Sequence, residues 1–171
     1  GGTGDDEMHG DEGTDQMWGE AGADLMRGGA GPDTIHGGDG ADRIYGDSGD
    51  DVLYGNADDD QIWGAGGNDL IWGGSGNDMV RGQEGHDRIY GETGVDELYG
   101  DSGEDLILGG DGDDLIVGGS DVDRLYNSTG NDTIFDNQGD DQIYGEAGDD
   151  SLYGNAGADR VYGGIGNDAL Q

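Results

Sequence analysis

The sequence predicts an all-β solenoid, because its 171 residues divide without remainder into nineteen units of nine. Self-similarity at a short fixed period indicates a repeat architecture in which each unit contacts only its neighbours. Two positions define the unit. The sixth residue is aspartate in all nineteen copies, and the eighth is always Met, Ile, Leu or Val. With one aliphatic residue per unit available for burial, the predicted core is a narrow column.

The first six positions of the unit predict a loop. All 42 glycines fall in the first four positions, with seventeen at the first and seventeen at the fourth. Asn127 and Asp136 replace glycine at the first position, and Asp58 and Asp121 at the fourth. Asn and Asp tolerate positive φ best after glycine, so we expect left-handed backbone at both positions. Three of these replacements, Asp121, Asn127 and Asp136, fall within 118–139. We interpret them as sequence variation that left-handed positions tolerate; the alternative is a weaker cation site or a bend in this stretch.

The last three positions predict a short strand, with the eighth side chain inward and its neighbours outward. All twelve Trp, Tyr and Phe residues occupy the ninth position. Alternate units belong to opposite sheets, so one outer face carries Trp18, His36, Tyr54, Trp72, Tyr90, Leu108, Tyr126, Tyr144 and Tyr162. We expect these rings to pack on one another and shield the sheet. The alternative is a docking surface for a glycan, a second roll or another partner.

The motif GGxGxDxUx, with U a large aliphatic residue, resembles the haemolysin-type calcium-binding repeat of RTX proteins along the whole chain. The resemblance implies a right-handed parallel β-roll of nineteen nonapeptide repeats, two to a turn, with calcium between loops stacked on the same edge. The implied ligands are loop carbonyls and the sixth-position carboxylates. Those residues are Asp6, Asp15, Asp24, Asp33, Asp42, Asp51, Asp60, Asp69, Asp78, Asp87, Asp96, Asp105, Asp114, Asp123, Asp132, Asp141, Asp150, Asp159 and Asp168.

The donor types favour calcium independently of the resemblance. Carboxylates and exposed carbonyls are hard oxygen donors, of which Ca²⁺ takes about 6–8. The chain has no cysteine, and His9, His36 and His86 do not cluster, which disfavours zinc and copper. Forty-one acidic residues against six Arg give a formal charge of −35, which opposes a compact metal-free state. One ion per pair of units a turn apart gives about 17 ions, whose charge nearly cancels −35.

Several classes of function are disfavoured. Six scattered Arg do not form the basic patch that nucleic-acid binding requires, and no apolar run approaches the roughly 20 residues that span a bilayer. We predict no enzyme, because no unit carries a set of polar residues that the others lack. Residues 1–171 form one predicted domain, and the missing Met start and end caps suggest a segment of a larger protein.

The sequence therefore predicts a calcium-binding module that is unfolded at low calcium and becomes a rigid scaffold when calcium binds. The resemblance implies a secreted or surface-exposed bacterial protein, with folding coupled to secretion. The alternative is a structural or adhesive module, in which the aromatic face self-associates or binds glycan.

Overall fold

A computed structural model describes residues 1–171 as two parallel sheets of ten strands each. The first sheet contains the odd-numbered strands: β1 (Gly2–Thr3), β3 (Gln16–Ala21), β5 (Thr34–Asp39), β7 (Val52–Ala57), β9 (Leu70–Ser75), β11 (Arg88–Thr93), β13 (Leu106–Asp111), β15 (Arg124–Tyr126), β17 (Gln142–Tyr144) and β19 (Arg160–Tyr162). The second contains the even-numbered strands: β2 (Glu7–Glu12), β4 (Leu25–Ala30), β6 (Arg43–Ser48), β8 (Gln61–Gly66), β10 (Met79–Glu84), β12 (Glu97–Ser102), β14 (Leu115–Ser120), β16 (Thr133–Gln138), β18 (Ser151–Ala156) and β20 (Ala169–Leu170).

Each strand pairs with the strand two further along the chain, so one turn of the solenoid spans two repeats. Leu53 of β7, for example, is in register with Ile71 of β9, and the same position of the repeat is matched throughout. The strands of both sheets follow this order without a break. The predicted parallel β-roll is confirmed, with about nine turns. The structure has no helix, and hence none long and apolar enough to cross a membrane.

Most strands are longer than the three residues that the sequence predicts. They cover positions seven to nine and continue through the first three positions of the next unit, as in Val52–Ala57. The extension forms because the second and third positions also find a partner one turn later, where Asn56 pairs with Gly74 and Ala57 with Ser75. In the first sheet the extension is lost from Asn127 onward. Strands β15, β17 and β19 have three residues each, and single bridges at the third position replace the rest.

The left-handed backbone lies at the second and fourth positions, and the prediction for the first position is wrong. Every non-glycine residue with positive φ is at the second position, such as Asn56 (φ 83°), or at the fourth, such as Asp121 (φ 83°). Neither Asn127 nor Asp136 is among them. Glycine therefore recurs at the first position for a steric reason, because the residue at this position faces the interior of the roll.

The core is the single aliphatic column that the sequence predicts. Sixteen eighth-position side chains from Met17 to Leu152 form one buried cluster, and all but Met17 are fully buried. Burial falls at the ends of the stack, where Leu170 is 50% exposed because only one neighbouring turn covers it. One residue per unit gives a core too thin to offset many buried charges without further interactions.

The ninth-position rings of the first sheet stack along the roll axis. Trp18, His36, Tyr54, Trp72 and Tyr90 form one continuous stack with centroid separations of 4.4–5.9 Å, and Tyr126, Tyr144 and Tyr162 form a second at 4.7–4.9 Å. The rings within each stack are nearly parallel, with interplanar angles of 2–13°. Leu108 separates the two stacks. The expected packing of ring on ring is therefore present.

Candidate metal centre

The sixth-position aspartates line both edges of the roll in two columns joined by hydrogen bonds. The backbone N–H of each aspartate donates to Oδ1 of the aspartate one turn later, as Asp60 does to Asp78 at 2.8 Å. Seventeen such bonds, 2.7–3.2 Å long, connect all nineteen aspartates within their columns. Every site residue predicted from the sequence thus lies in one of two linear arrays.

The second carboxylate oxygen of these residues has no hydrogen-bond donor. Sixteen Oδ2 atoms are buried and make no hydrogen bond: those of Asp15, Asp24, Asp33, Asp42, Asp51, Asp60, Asp69, Asp78, Asp87, Asp96, Asp105, Asp114, Asp123, Asp132, Asp141 and Asp150. Asp6, Asp159 and Asp168, at the ends of the columns, are only partly buried. A buried carboxylate oxygen without a partner is costly, so these atoms are candidate ligands for a cation.

Fourteen of these sixteen Oδ2 atoms lie beside the first-position glycine of their own unit, and in the regular units a second oxygen converges there. A Cβ built on Gly73 would lie 2.5 Å from Asp78 Oδ2 and 3.0 Å from the carbonyl oxygen of Gly91, one turn later. The same two contacts recur at Gly28, with Asp33 Oδ2 and the carbonyl oxygen of Gly46. We call this arrangement the cradle: the space beside a first-position glycine, bounded by the Oδ2 of its unit and the carbonyl of the next turn. Seventeen of the nineteen units have glycine there, and a Cβ on that glycine would enter this space.

Burial and mutual repulsion both oppose ionisation of the columns. Desolvation, helped by the charges of Asp78 and Asp42, raises the pKa of Asp60 to about 8 against the lowering effect of its backbone hydrogen bond. Burial likewise raises the pKa of Asp123 to about 8. No arginine forms an ion pair with the columns: the two arginine ion pairs, Arg27 with Asp47 and Arg81 with Asp101, are partly exposed and involve second-position residues.

The chemistry of the cradle suits a hard divalent cation. Its donors are carboxylate and carbonyl oxygens, contributed by two successive turns, without nitrogen or sulfur. Calcium accepts such all-oxygen sets in flexible geometry, whereas magnesium demands near-ideal octahedral geometry and dehydrates reluctantly. The residues present therefore fit calcium, and the ion would supply the positive charge that the columns lack.

Sequence reasoning missed two parts of this site. It treated the first-position glycine as a backbone requirement, whereas that residue keeps the cradle open. It also placed Asn127 and Asp136 among tolerated turn residues, whereas both side chains are buried. The sequence did contain a signal: glycine is nearly invariant at the first position, and its two replacements there, Asn127 and Asp136, are both polar.

Fold and site together define a parallel β-roll with a column of oxygen-lined cradles along each edge. The family model of the RTX calcium-binding nonapeptide repeat matches seven overlapping segments that together cover residues 1–170: 1–26, 18–53, 36–71, 45–80, 72–107, 99–134 and 135–170. The chain belongs to this family, and it is a calcium-binding structural repeat module. No curated protein matches the chain.

The steric role of the first-position glycine can be tested within one repeat. A Cβ at Gly64 would clash with Asp69 Oδ2 and lie 2.9 Å from the carbonyl oxygen of Gly82, whereas at Gly66 the nearest atom is 3.9 Å away. Neither glycine has positive φ. We expect Gly64→Ala to raise the calcium concentration at the folding midpoint by about tenfold, because disturbing even indirect contacts of a metal site costs about 10–100-fold in affinity. The matched Gly66→Ala variant should fold as the wild type does, and equal midpoints in circular dichroism titrations would contradict the cradle.

Proposed function

We propose that this chain is a calcium-triggered folding unit, and that the paired columns of sixth-position aspartates, Asp6 through Asp168, are its ligands. The observation that carries the proposal is the set of sixteen buried Oδ2 atoms without a hydrogen-bond donor, fourteen of which lie beside a first-position glycine. A site assembled from two successive turns does not exist in the unfolded chain. Calcium binding and folding are therefore one equilibrium, and the binding free energy becomes folding free energy.

The same geometry supports a proposed stoichiometry. An ion between each pair of turns on each edge gives about 17 ions, one for every hydrogen-bonded aspartate pair. Their charge offsets nearly all of the formal −35. A chain that is strongly self-repelling without metal thus becomes close to neutral when loaded, and repulsion no longer opposes the compact form.

Membership of the family supports a proposal about the cellular setting. RTX repeats are typical of secreted bacterial proteins. We propose that the chain is one folding domain within a larger secreted protein, that it remains unfolded at low cytosolic calcium, and that it folds outside the cell into a rigid scaffold. We assign no catalytic step to residues 1–171, because every polar column belongs to the repeat.

A calcium titration of folding tests this setting. The expected midpoint is about 10⁻⁴–10⁻³ M, the range of extracellular calcium modules, with a cooperative rise of β structure in far-ultraviolet circular dichroism. Folding that is complete at micromolar calcium would contradict a switch between the cytosol and the exterior.

A second candidate is assembly of rolls through the aromatic face, and the continuous stack from Trp18 to Tyr90 favours it. Within this stack each internal ring has both faces covered by its neighbours, so ring edges rather than faces are presented outward. Sugar recognition by stacking on ring faces is therefore less favoured than lateral contact with another roll. Charge neutralisation by calcium would promote such contact, because proteins near zero net charge associate readily.

The double substitution Trp72→Thr with Tyr90→Thr separates the two roles of this face. If the rings only shield their own sheet, the calcium-loaded variant should lose about 0.2–1 kcal/mol per cross-strand pair and keep the particle size of the wild type. If the face mediates assembly, the wild type should be larger than a monomer in calcium by light scattering, and the variant should be monomeric. The matched control is Tyr45→Thr with Trp63→Thr, which removes a stacked pair from the opposite face. A glycan-retention assay on the same proteins checks the remaining alternative.

A further inference from the structure

Asp136 occupies the first position of its unit, where seventeen other units have glycine. Its backbone is not left-handed, and its side chain is fully buried inside the roll. Both of its carboxylate oxygens lack a hydrogen-bond donor. A backbone requirement does not explain a buried, unpartnered acid at this position.

The carboxylate of Asp136 enters the cradle beside Gly118, one turn earlier. A Cβ built on Gly118 would contact Asp136 Oδ1 and lie 2.8 Å from Asp123 Oδ2. In regular cradles the converging oxygen is the backbone carbonyl of the next turn, as that of Gly91 is for Gly73. Here a charged side-chain oxygen takes that place.

Three carboxylates meet at this point of the column. One oxygen each from Asp123, Asp136 and Asp141 lies within 4.8 Å of the other two, and all three residues are buried. No other group of three acidic residues in the chain reaches this density. Asp123 and Asp141 are already linked by the column, since the Asp123 N–H donates to Asp141 Oδ1 at 2.8 Å. Asp136 therefore adds a negative charge to an otherwise regular pair.

We propose that Asp123, Asp136 and Asp141 form a calcium site of their own kind, with three side-chain carboxylates, and that it is the tightest site of the roll. The inference rests on the proposed function, in which the regular cradles bind calcium. The number of charged ligands is one of the two factors that set the calcium affinity of a protein site. An additional unit charge in direct contact with the ion therefore raises affinity at this level above that of its neighbours.

The opposite edge provides a neutral counterpart one unit earlier. Asn127 also occupies a first position, is 5% exposed, and directs Oδ1 into the cradle beside Gly109, where Asp114 Oδ2 lies 2.7 Å from the same constructed Cβ. It adds an oxygen donor without a charge. Asn127 and Asp136 thus separate the effect of an extra ligand from the effect of an extra negative charge.

The test compares the wild type with Asp136→Gly, Asp136→Asn and Asn127→Gly, each titrated with calcium in competition with a chromophoric chelator. Asp136→Gly restores the common residue of the repeat, so the variant is expected to fold. The wild type should show one site about tenfold or more tighter than the others, and both Asp136 variants should lose it while still folding at millimolar calcium. Asn127→Gly should retain it.

Two outcomes would overturn the inference. Uniform affinity in the wild type means that Asp136 does not contribute, and one additional bound ion in Asp136→Gly means that the carboxylate fills the cradle in place of calcium. Either result leaves the proposed function intact, because the wild type still folds on binding calcium. A wild type that binds no calcium would instead remove the proposed function and this inference together.

Discussion

In the presence of a chelator the chain will lack regular secondary structure, and millimolar calcium will convert it to a β-roll. Far-ultraviolet circular dichroism should show the conversion, and analytical ultracentrifugation should show the corresponding compaction. Because each site joins two turns, the transition should be steep in calcium concentration and reversible when chelator is added.

The physical reason is that the folded chain without metal has no means of compensating its buried charge. Sixteen carboxylate oxygens would be buried without a donor. Burial raises the pKa of Asp60 to about 8 and that of Asp87 to about 7. The hydrophobic core consists of one side chain per repeat. The unfolded chain, by contrast, keeps its carboxylates hydrated and separated, so it is the stable form at neutral pH until calcium is supplied.

Magnesium provides the control for charge alone. Magnesium has the same charge as calcium, but it holds its water shell tightly and requires octahedral geometry. Carbonyl and carboxylate oxygens from two independent turns do not form an octahedral set. Equal molar magnesium should therefore leave the chain unfolded. A chain that folds in chelator, or equally well in magnesium, would contradict the cation cradles.

The sequence predicts the architecture well because each position of the repeat shows its residue preference in nineteen copies. The inward column from Met17 to Leu152, the two parallel sheets and the stacked ninth-position rings all follow from the positions of single residue types. The length of the strands was not predictable from propensity. Residues such as Asn56 and Ala57 are poor strand formers that pair only because the next turn presents an identical backbone.

The candidate site was predictable in its sixth-position residues and less so in its remaining atoms. Asp60 or Asp87 is identified by periodicity, since an invariant acid in a glycine-rich loop indicates oxygen ligation. The role of Gly73 requires coordinates, because its missing Cβ matters only through Asp78 Oδ2 and a carbonyl one turn away. The sequence alone also placed Asp136 in a turn. Small polar residues are favoured both at positions with positive φ and at positions whose side chain enters a buried cradle, so the residue type does not distinguish the two.

The position of an aspartate in its column should determine how much its loss matters. Asp87 lies at mid-stack: its Oδ1 accepts from the Asp69 N–H, and its own N–H donates to Asp105 Oδ1, both at 2.8 Å. Its Oδ2 is buried beside Gly82 without a hydrogen-bond donor. Asp168 is the last of its column, is only partly buried, and accepts one bond of 3.2 Å from the Asp150 N–H. Asp87 therefore connects two neighbouring turns, whereas Asp168 connects one.

We expect Asp87→Ala to raise the calcium midpoint of folding by about tenfold or more, and Asp168→Ala to raise it by less than about twofold. The difference arises because solenoid stability is a sum of nearest-neighbour interfaces, so a defect at mid-stack weakens coupling on both sides while a terminal defect only frays the end. The Asp87→Ala transition should also become less steep, because the two halves of the roll then fold with less mutual support. Calcium titrations followed by circular dichroism measure both the midpoint and the steepness. Equal shifts for the two variants would mean that the cradles bind independently, and the columns would then be a row of separate sites rather than one cooperative metal centre.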